Sequence, residues 1–105
     1  MSRISPLFDA LKEEGRAAFI PFITAGDPSL EQTGAVLEAL VEAGADIIEL
    51  GVPFSDPMAD GPTIQASSQR ALKKPIRIQD ILRTVSKFRK KHDTPLVLFG
   101  YYNPF

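Results

Sequence analysis

The stretch "ADIIELGVPFSDPMADGP" (residues 45–62) decides the fold because it joins an apolar strand to a loop rich in acids, prolines and glycines. The first seven residues predict a strand, and Glu49 closes its otherwise apolar run. Asp56 and Asp60 follow on a segment whose prolines and glycines are incompatible with a helix. Because no basic residue lies among these carboxylates, their presence needs an explanation from chemistry or from distant partners.

Apolar runs on either side of this stretch predict two further strands. "AAFIPFITAG" predicts a strand over about residues 18–24, since the run is short for a helix and contains a proline. "PLVLFGYY" (residues 95–102) predicts another. All three runs carry apolar residues on both faces, which is typical of buried parallel strands.

Helical patterns separate the predicted strands. Ser5 is expected to cap a first helix that ends at Gly15. Ser29, with Gln32 at capping-box spacing, is expected to begin a second helix that Gly44 stops.

Two more helices are predicted between the acidic loop and the last strand. Pro62 is expected to open a short helix that ends near Lys73. The fourth helix, within residues 77–92, has the clearest pattern of the chain. Its predicted apolar face consists of Ile78, Ile81, Leu82, Val85 and Phe88.

This order of elements predicts an α/β protein. Strands that alternate with helices of this length pair in parallel through right-handed crossovers. Residues 1–105 are expected to form a single incomplete domain without an internal boundary, because no linker or low-complexity tract interrupts them. A buried-type strand at the very end of the chain leaves an open sheet edge, so we interpret the sequence as the first part of a larger domain.

Composition excludes several classes of function. The 105 residues include 12 basic and 13 acidic side chains, a formal net charge of −1 that gives no electrostatic case for nucleic acid or anionic lipid. No apolar run is long enough to span a membrane, and the charged N-terminus does not resemble a signal peptide. The chain has no cysteine, which excludes disulfides and thiolate metal sites and permits the cytoplasmic location that we expect.

The three carboxylates each have an ordinary interpretation. Glu49 lies at the C-terminal end of a strand, where parallel α/β folds place reactive groups, but a distant arginine would equally explain it. Asp60 before Gly61 is an acceptable helix cap, and Asp56 is typical of a turn. The spacing of the three acids matches no metal-ligand motif, so no metal site is predicted.

The segment "ELGVPFSDPMADGPTIQ" (residues 49–65) resembles the signature of the tryptophan synthase alpha subunit family. "PFITAGDP" (residues 21–28) and "YYNP" (residues 101–104) are similar to the ends of that family's first and third strands, in the same order. The resemblance covers essentially the whole chain. It implies a (β/α)₈ barrel, of which this chain is the N-terminal portion, that cleaves indole-3-glycerol phosphate to indole and glyceraldehyde 3-phosphate.

The resemblance also implies the roles of individual residues. Glu49 corresponds to the family's general acid/base, and Asp60 to the carboxylate that contacts the indole nitrogen. Phe22 and Ile64 correspond to the lining of the indole pocket, and Tyr101 to a strand tyrosine near the active site. From the residues alone, Phe22 and Tyr101 are equally compatible with core packing.

A partner is implied as well. Pro53 and Asp56 match the loop that meets the family's β subunit, and Asn103 matches the next loop of that interface. The β subunit holds pyridoxal phosphate and joins indole to serine, in an expected α2β2 assembly, whereas no cofactor is expected in this chain. On pattern alone, Pro53 and Asp56 indicate only a turn.

The chemistry of the implied reaction explains unpaired acids. Protonation of indole C3 places positive charge on the ring nitrogen, which a carboxylate stabilises and an aromatic wall holds in place. A second carboxyl group must move the protons, and an apolar environment raises a carboxyl pKa toward working pH. A neighbouring cationic side chain would instead lower the pKa of that carboxyl group.

Two alternatives stay open at this level. The chain could be a non-catalytic module whose acidic loop only docks a partner, or part of another phosphate-handling barrel enzyme such as indole-glycerol-phosphate synthase. The second is disfavoured because no lysine adjoins Glu49. Since the resemblance places the substrate phosphate site on later strands, the chain by itself is expected to be inactive.

Overall fold

The computed structural model describes residues 3–53 and 61–100 as four helices and three strands, which alternate except that two helices precede the last strand. The elements are α1 (Ile4–Glu14), β1 (Phe22–Thr24), α2 (Leu30–Glu42), β2 (Ile48–Gly51), α3 (Pro62–Ala71), α4 (Ile78–Arg89) and β3 (Leu96–Phe99). The described elements confirm the α/β architecture and the predicted element order.

The strands form one parallel sheet in the order β1-β2-β3. Glu49 at the centre of the register pairs with Phe22 on one side and with Val97 on the other. Two residues further toward the C-terminal end of β2, Gly51 pairs with Thr24 and with Phe99. All three strands therefore end at the same edge of the sheet.

The hydrophobic core lies on one face of this sheet, under α2 and α4. Ile48 and Leu50 of β2 are fully buried there, as strand alternation predicts for residues on either side of Glu49. Two buried clusters cover this face, one around Leu50 and Ile81 and the other around Ile48, Leu37 and Phe88. Both crossover helices thus cover the same side of the sheet.

The opposite face is largely uncovered within the described residues, as expected of three strands that form part of a larger domain. Val97 is 37% exposed and Phe99 54% exposed, although both are large and apolar. The sequence places apolar residues on this face, but α2 and α4 cover the other one, and α3 reaches this face at its C-terminal edge. Within the described ranges, no helix is long and apolar enough to cross a membrane.

Helix ends follow the predicted signals with one exception. Gly15 ends α1 in the left-handed conformation at φ 67°, and Ser29 caps α2 by accepting a hydrogen bond from the Gln32 N–H at 3.1 Å. The prediction that Ser5 caps α1 is wrong, because the helix begins at Ile4 and Arg3 occupies the cap position.

The predicted face of α4 is wrong at one position. Ile81 and Phe88 are buried, but Leu82 is 46% exposed. Leu82 lies about 100° around the helix from Ile81, outside the stripe that contacts the sheet.

The segment before β1 is held both by backbone hydrogen bonds from Asp46 and Glu49 and by the Asp46 carboxylate. Asp46 accepts a hydrogen bond from the Phe19 N–H at 2.7 Å and two from the Arg16 guanidinium at 3.0 and 3.1 Å. The hydrogen bonds from Arg16, followed by that from Phe19, lower the pKa of the Asp46 carboxyl below its ordinary value. β1 is shorter than the predicted 18–24 because Pro21 has no N–H to donate to a ladder.

Candidate active site

The site is built at the C-terminal edge of the sheet, on its open face. Because Ile48 and Leu50 point into the core, Glu49 and Gly51 point to the other side, together with their register partners. Glu49 is half-buried and lies beside Phe22 in the neighbouring strand. Among residues 3–53 and 61–100, no lysine or arginine forms an ion pair with Glu49.

Two aromatic rings converge next to Glu49. The rings of Phe22 and Phe99 meet edge to face, with centroids 6.0 Å apart. Gly51 lies between their strands, and a Cβ added there would stand 2.5 Å from Cζ of Phe22. The ring of Phe22 therefore occupies the space that a side chain at position 51 would need.

A small cleft opens beside these rings. Helix α3 contributes Ile64 and Ser68 to its wall, opposite the strand residues. The strand and loop residues of the cleft are Phe22, Thr24, Gly51, Val52, Phe99 and Gly100. The structure thus brings together the two residues predicted to line an indole pocket, Phe22 and Ile64.

Helix α3 is held at this edge by polar contacts with β1 and the loop that follows it. Thr24 and Ser67, both buried, are joined by a 2.7 Å hydrogen bond between their hydroxyl oxygens. Arg70 donates two hydrogen bonds, both 3.0 Å, to the two carboxylate oxygens of Asp27. These contacts place the first turn of α3 over the strand ends.

Several predicted site residues lie outside the described residues: Asp56, Asp60, Tyr101 and Asn103. Pro53, predicted at the partner interface, is described and is buried just after β2. Glu49, Phe22 and Ile64 are therefore the predicted catalytic and substrate-binding residues whose positions the structure gives.

Sequence reasoning missed three residues of this edge: Thr24, Gly51 and Phe99. A glycine inside a strand often marks a close approach of another group, which is the role of Gly51 beneath the Phe22 ring. Phe99 could have been found by alternation, because it follows Val97 at the strand period and Val97 pairs with Glu49. Thr24 carries no comparable signal.

A more voluminous groove lies elsewhere, between α2 and α4. It has a volume of about 660 Å³ and is lined mainly by charged or small side chains, including Glu38, Asp80, Arg83 and Lys87. Another groove, of about 710 Å³, lies near Arg3, Asp46 and Asp93, so volume alone does not single out a ligand site. We assign the site to the strand ends instead, because an unpaired carboxylate and two aromatic rings converge there. Across the described part of the chain, no group of histidine, cysteine and acidic side chains could hold a metal ion.

A parallel sheet with α2 and α4 on one face and a carboxylate at the strand ends is the arrangement expected of a portion of a (β/α)₈ barrel. The chain matches the sequence profile described as "Tryptophan synthase alpha chain" over residues 8–105. It belongs to the tryptophan synthase alpha chain family.

Individual relatives agree with this assignment. A tryptophan synthase alpha chain from Thermoanaerobacter sp. (strain X514) is 62% identical over 103 residues, which cover 98% of this chain and 39% of that protein. One from Xanthomonas campestris is also 62% identical, over 97% of this chain and 38% of its own length. The chain thus spans about two fifths of the length of these curated relatives.

Solved structures give the same result for the fold. The tryptophan synthase subunit alpha from Legionella pneumophila superposes with a TM-score of 0.94 at 46% identity, over 99% of this chain and 40% of that one. A structure of tryptophan synthase from Mycobacterium tuberculosis gives 0.91 at 40% identity, over 99% and 42%. The sheet described above is therefore the N-terminal portion of a (β/α)₈ barrel, as the sequence predicted.

Proposed function

We propose that the full-length protein containing this chain is a carbon–carbon lyase that cleaves indole-3-glycerol phosphate to indole and glyceraldehyde 3-phosphate. The observation that carries this proposal is the position of Glu49, which lies beside Phe22 on the open sheet face without an ion-pair partner among the described residues. Membership of the family supplies the reaction class.

The cleavage needs two proton transfers and one transient positive charge. A proton added to indole C3 puts that charge on the ring nitrogen, and the bond from C3 to the glycerol carbon then breaks. The bonding electrons return to the indole ring, while the hydroxyl on the departing carbon loses its proton and becomes the aldehyde. A carboxyl group at the strand end can deliver one proton and manage the other.

Each site residue has a proposed role in that sequence. Glu49 is the general acid/base, and Asp60 stabilises the charge on the indole nitrogen. Phe22 and Ile64 hold the indole ring, which is supported by their positions on opposite walls of one cleft. Tyr101 is proposed to lie near the reacting groups.

The proposal extends to the assembly. Pro53, Asp56 and Asn103 are proposed to contact a β subunit that carries pyridoxal phosphate and consumes indole, in an α2β2 complex in the cytoplasm. Residues 1–105 are proposed to be a single incomplete barrel domain that has no lyase activity by itself, since the substrate phosphate must be held by groups that the family resemblance places on later strands.

Replacement of one carboxylate tests the function. In the full-length protein, Glu49→Gln keeps the shape of the side chain but removes the titrating group. We expect the rate of indole release at saturating substrate to fall by about 10² or more, with the substrate still bound.

A matched control is Glu42→Gln, which alters an exposed glutamate on α2 and should leave the rate unchanged. Near-normal turnover of the Glu49 variant would refute its role. A wild-type protein that binds the β subunit but releases no indole would instead favour the docking-module alternative.

A further inference from the structure

The cleft at the strand ends has two walls that belong to different elements. Phe22 of β1 lies in one wall, and Ile64 of α3 lies in the other. β1 is the strand against which α3 packs. The width of the cleft therefore depends on the contacts that hold this helix against this strand.

Apolar packing fixes that spacing only weakly. The residues that α3 buries, Ser67, Ser68 and Ala71, all have small side chains. Burial of such side chains removes little apolar area from water, compared with a buried leucine or phenylalanine. A directional contact between α3 and β1 must therefore supply much of what fixes their distance.

A buried hydrogen bond joins β1 to α3 directly. The hydroxyl oxygens of Thr24 and Ser67 are 2.7 Å apart, and both residues are more than nine-tenths buried. The Ser67 hydroxyl donates its single proton to the carbonyl oxygen of Ile64 at 2.9 Å, so the Thr24 hydroxyl is the donor between the two side chains. Removal of either hydroxyl leaves the other one buried without this partner, which is costly.

This hydrogen bond connects the same two surfaces that form the cleft walls. Thr24 follows Phe22 by two residues in β1, so both side chains lie on one face of the strand. Ser67 follows Ile64 by three residues in α3, so these two are neighbours on the helix surface. The bonded pair and the wall pair therefore span one gap between β1 and α3, and the length of the bond sets how closely the helix approaches the strand.

We propose that Thr24 and Ser67 are positioning residues that set the width of the cleft and thereby determine which ring substituents the site accepts. The inference rests on the proposed lyase function, which places an indole ring between Phe22 and Ile64. A wall held at a fixed distance leaves no room for an additional methyl group on a ring that already touches both walls. One carbon atom more or less in a fitted apolar pocket changes kcat/KM by about 10–200-fold.

The test compares substrates of the full-length protein. Indole-3-glycerol phosphate is compared with derivatives that carry one methyl group at each free carbon of the six-membered ring, and the ratio of the two kcat/KM values is measured. Wild type should disfavour at least one derivative by about tenfold or more. Thr24→Val, which keeps the shape but removes the hydroxyl, and Ser67→Ala should each reduce that ratio to about threefold or less. Thr24→Ser keeps the hydroxyl and should retain the wild-type ratio.

Thr84→Val is the matched control. It makes the same chemical change on α4, where the Thr84 hydroxyl donates to the carbonyl oxygen of Asp80 at 3.2 Å, away from the cleft. It should leave every ratio at the wild-type value. Because both substrates are measured on one sample, a loss of folded protein lowers both rates equally and cancels from the ratio. A merely structural role of Thr24 and Ser67 would therefore leave the ratio unchanged.

Two results of this comparison contradict the proposal. Wild-type ratios in both Thr24→Val and Ser67→Ala overturn it, because the hydrogen bond would then not set the width of the cleft. A wild-type protein that cleaves every methylated substrate as well as the unsubstituted one also overturns it, because the cleft would then not limit the ring.

Amide hydrogen exchange separates this inference from the proposed function. A wild-type protein that releases no indole from any substrate refutes the lyase function, and the attachment of α3 (Pro62–Ala71) is then tested by the exchange of its amides. Faster exchange of this helix in Thr24→Val than in Thr84→Val supports the positioning role of the hydrogen bond. Equal protection in the two variants overturns it.

Discussion

Substitution of Gly51 by alanine tests the close packing of β2 against the Phe22 ring. The added Cβ would stand 2.5 Å from Cζ and 3.1 Å from Cε2 of Phe22, and 3.4 Å from the carbonyl oxygen of Ile23. Carbon atoms in contact prefer about 3.5–4.0 Å, so the ring must move by about 1 Å while the backbone can stay in place. Because Phe22 lines a cleft together with Ile64, the movement changes the shape of that cleft.

Two measurable effects follow from that displacement. Forced repacking of one ring costs about 1–2 kcal/mol, the lower part of the range for overpacked positions, because the end of a side chain yields more easily than backbone. In the full-length protein, the thermal unfolding temperature should fall by about 2–6 °C in calorimetry. The KM for indole-3-glycerol phosphate should rise, since the displaced ring narrows the proposed indole pocket.

Relief and control variants make this prediction specific. Phe22→Leu shortens the clashing side chain, so adding Gly51→Ala to it should cost less stability than Gly51→Ala costs alone. Gly34→Ala on α2 is the control: a Cβ there meets no atom within 4 Å, and loss of a helical glycine should stabilise by about 0.5–1 kcal/mol. An unchanged unfolding temperature for Gly51→Ala, or strict additivity with Phe22→Leu, would refute the reasoning.

Three further predictions concern the contacts of Asp46, the binding of the β subunit and the isolated chain. Because the pKa of Asp46 is lowered in the folded state, its ionised form stabilises the fold above about pH 4, and this stabilisation is lost as the pH falls through the lowered pKa. Asp46→Asn should therefore be less stable than wild type at neutral pH in urea titrations, with a difference that shrinks in acid; a constant difference would contradict this. Asp56→Ala in the full-length protein should weaken β-subunit binding more than it lowers stability, which unchanged affinity in titration calorimetry would disprove. The isolated 105-residue chain should self-associate, by pairing of its sheet edges or by packing of the sheet face where Val97 and Phe99 are exposed, and should release no indole. A compact monomer in light scattering, or appreciable indole release, would be the contrary result.

Local signals in the sequence predicted which helices and strands form better than they predicted the residues at which these begin and end. Short apolar runs identified the three described strands, and helical periodicity together with capping and breaking residues identified the four described helices. The start of α1 was missed because a proline is tolerated anywhere in the first turn, where its N–H is not needed, so Pro6 does not fix the cap at Ser5. Leu82 was misplaced because periodicity does not give the width of the face that a sheet covers.

The sequence patterns could not predict contacts between residues that are far apart along the chain. Asp46 and Arg16 are 30 residues apart, and Asp27 and Arg70 are 43 apart, so no local spacing announces either pair. Glu49 and Phe22 were assigned through the family resemblance, and the parallel register then places them side by side. The register itself depends on the crossover helices, which single-strand patterns do not encode.

Alternate residues of strand β2 lie on opposite faces of the sheet and serve different purposes. Ile48 and Leu50 are fully buried in the core, while Glu49 and Gly51 lie on the opposite face of the sheet, where Gly51 lines the cleft. A saturation mutagenesis screen of this strand in the full-length protein should therefore show a period of two in the phenotype. Variants at the two core positions would lower the amount of folded protein, and variants of Glu49 would accumulate normally but fail to turn over substrate. Selection for the amount of folded protein would therefore act on positions 48 and 50, and selection for turnover on position 49. The two selections would be almost independent although the positions are adjacent.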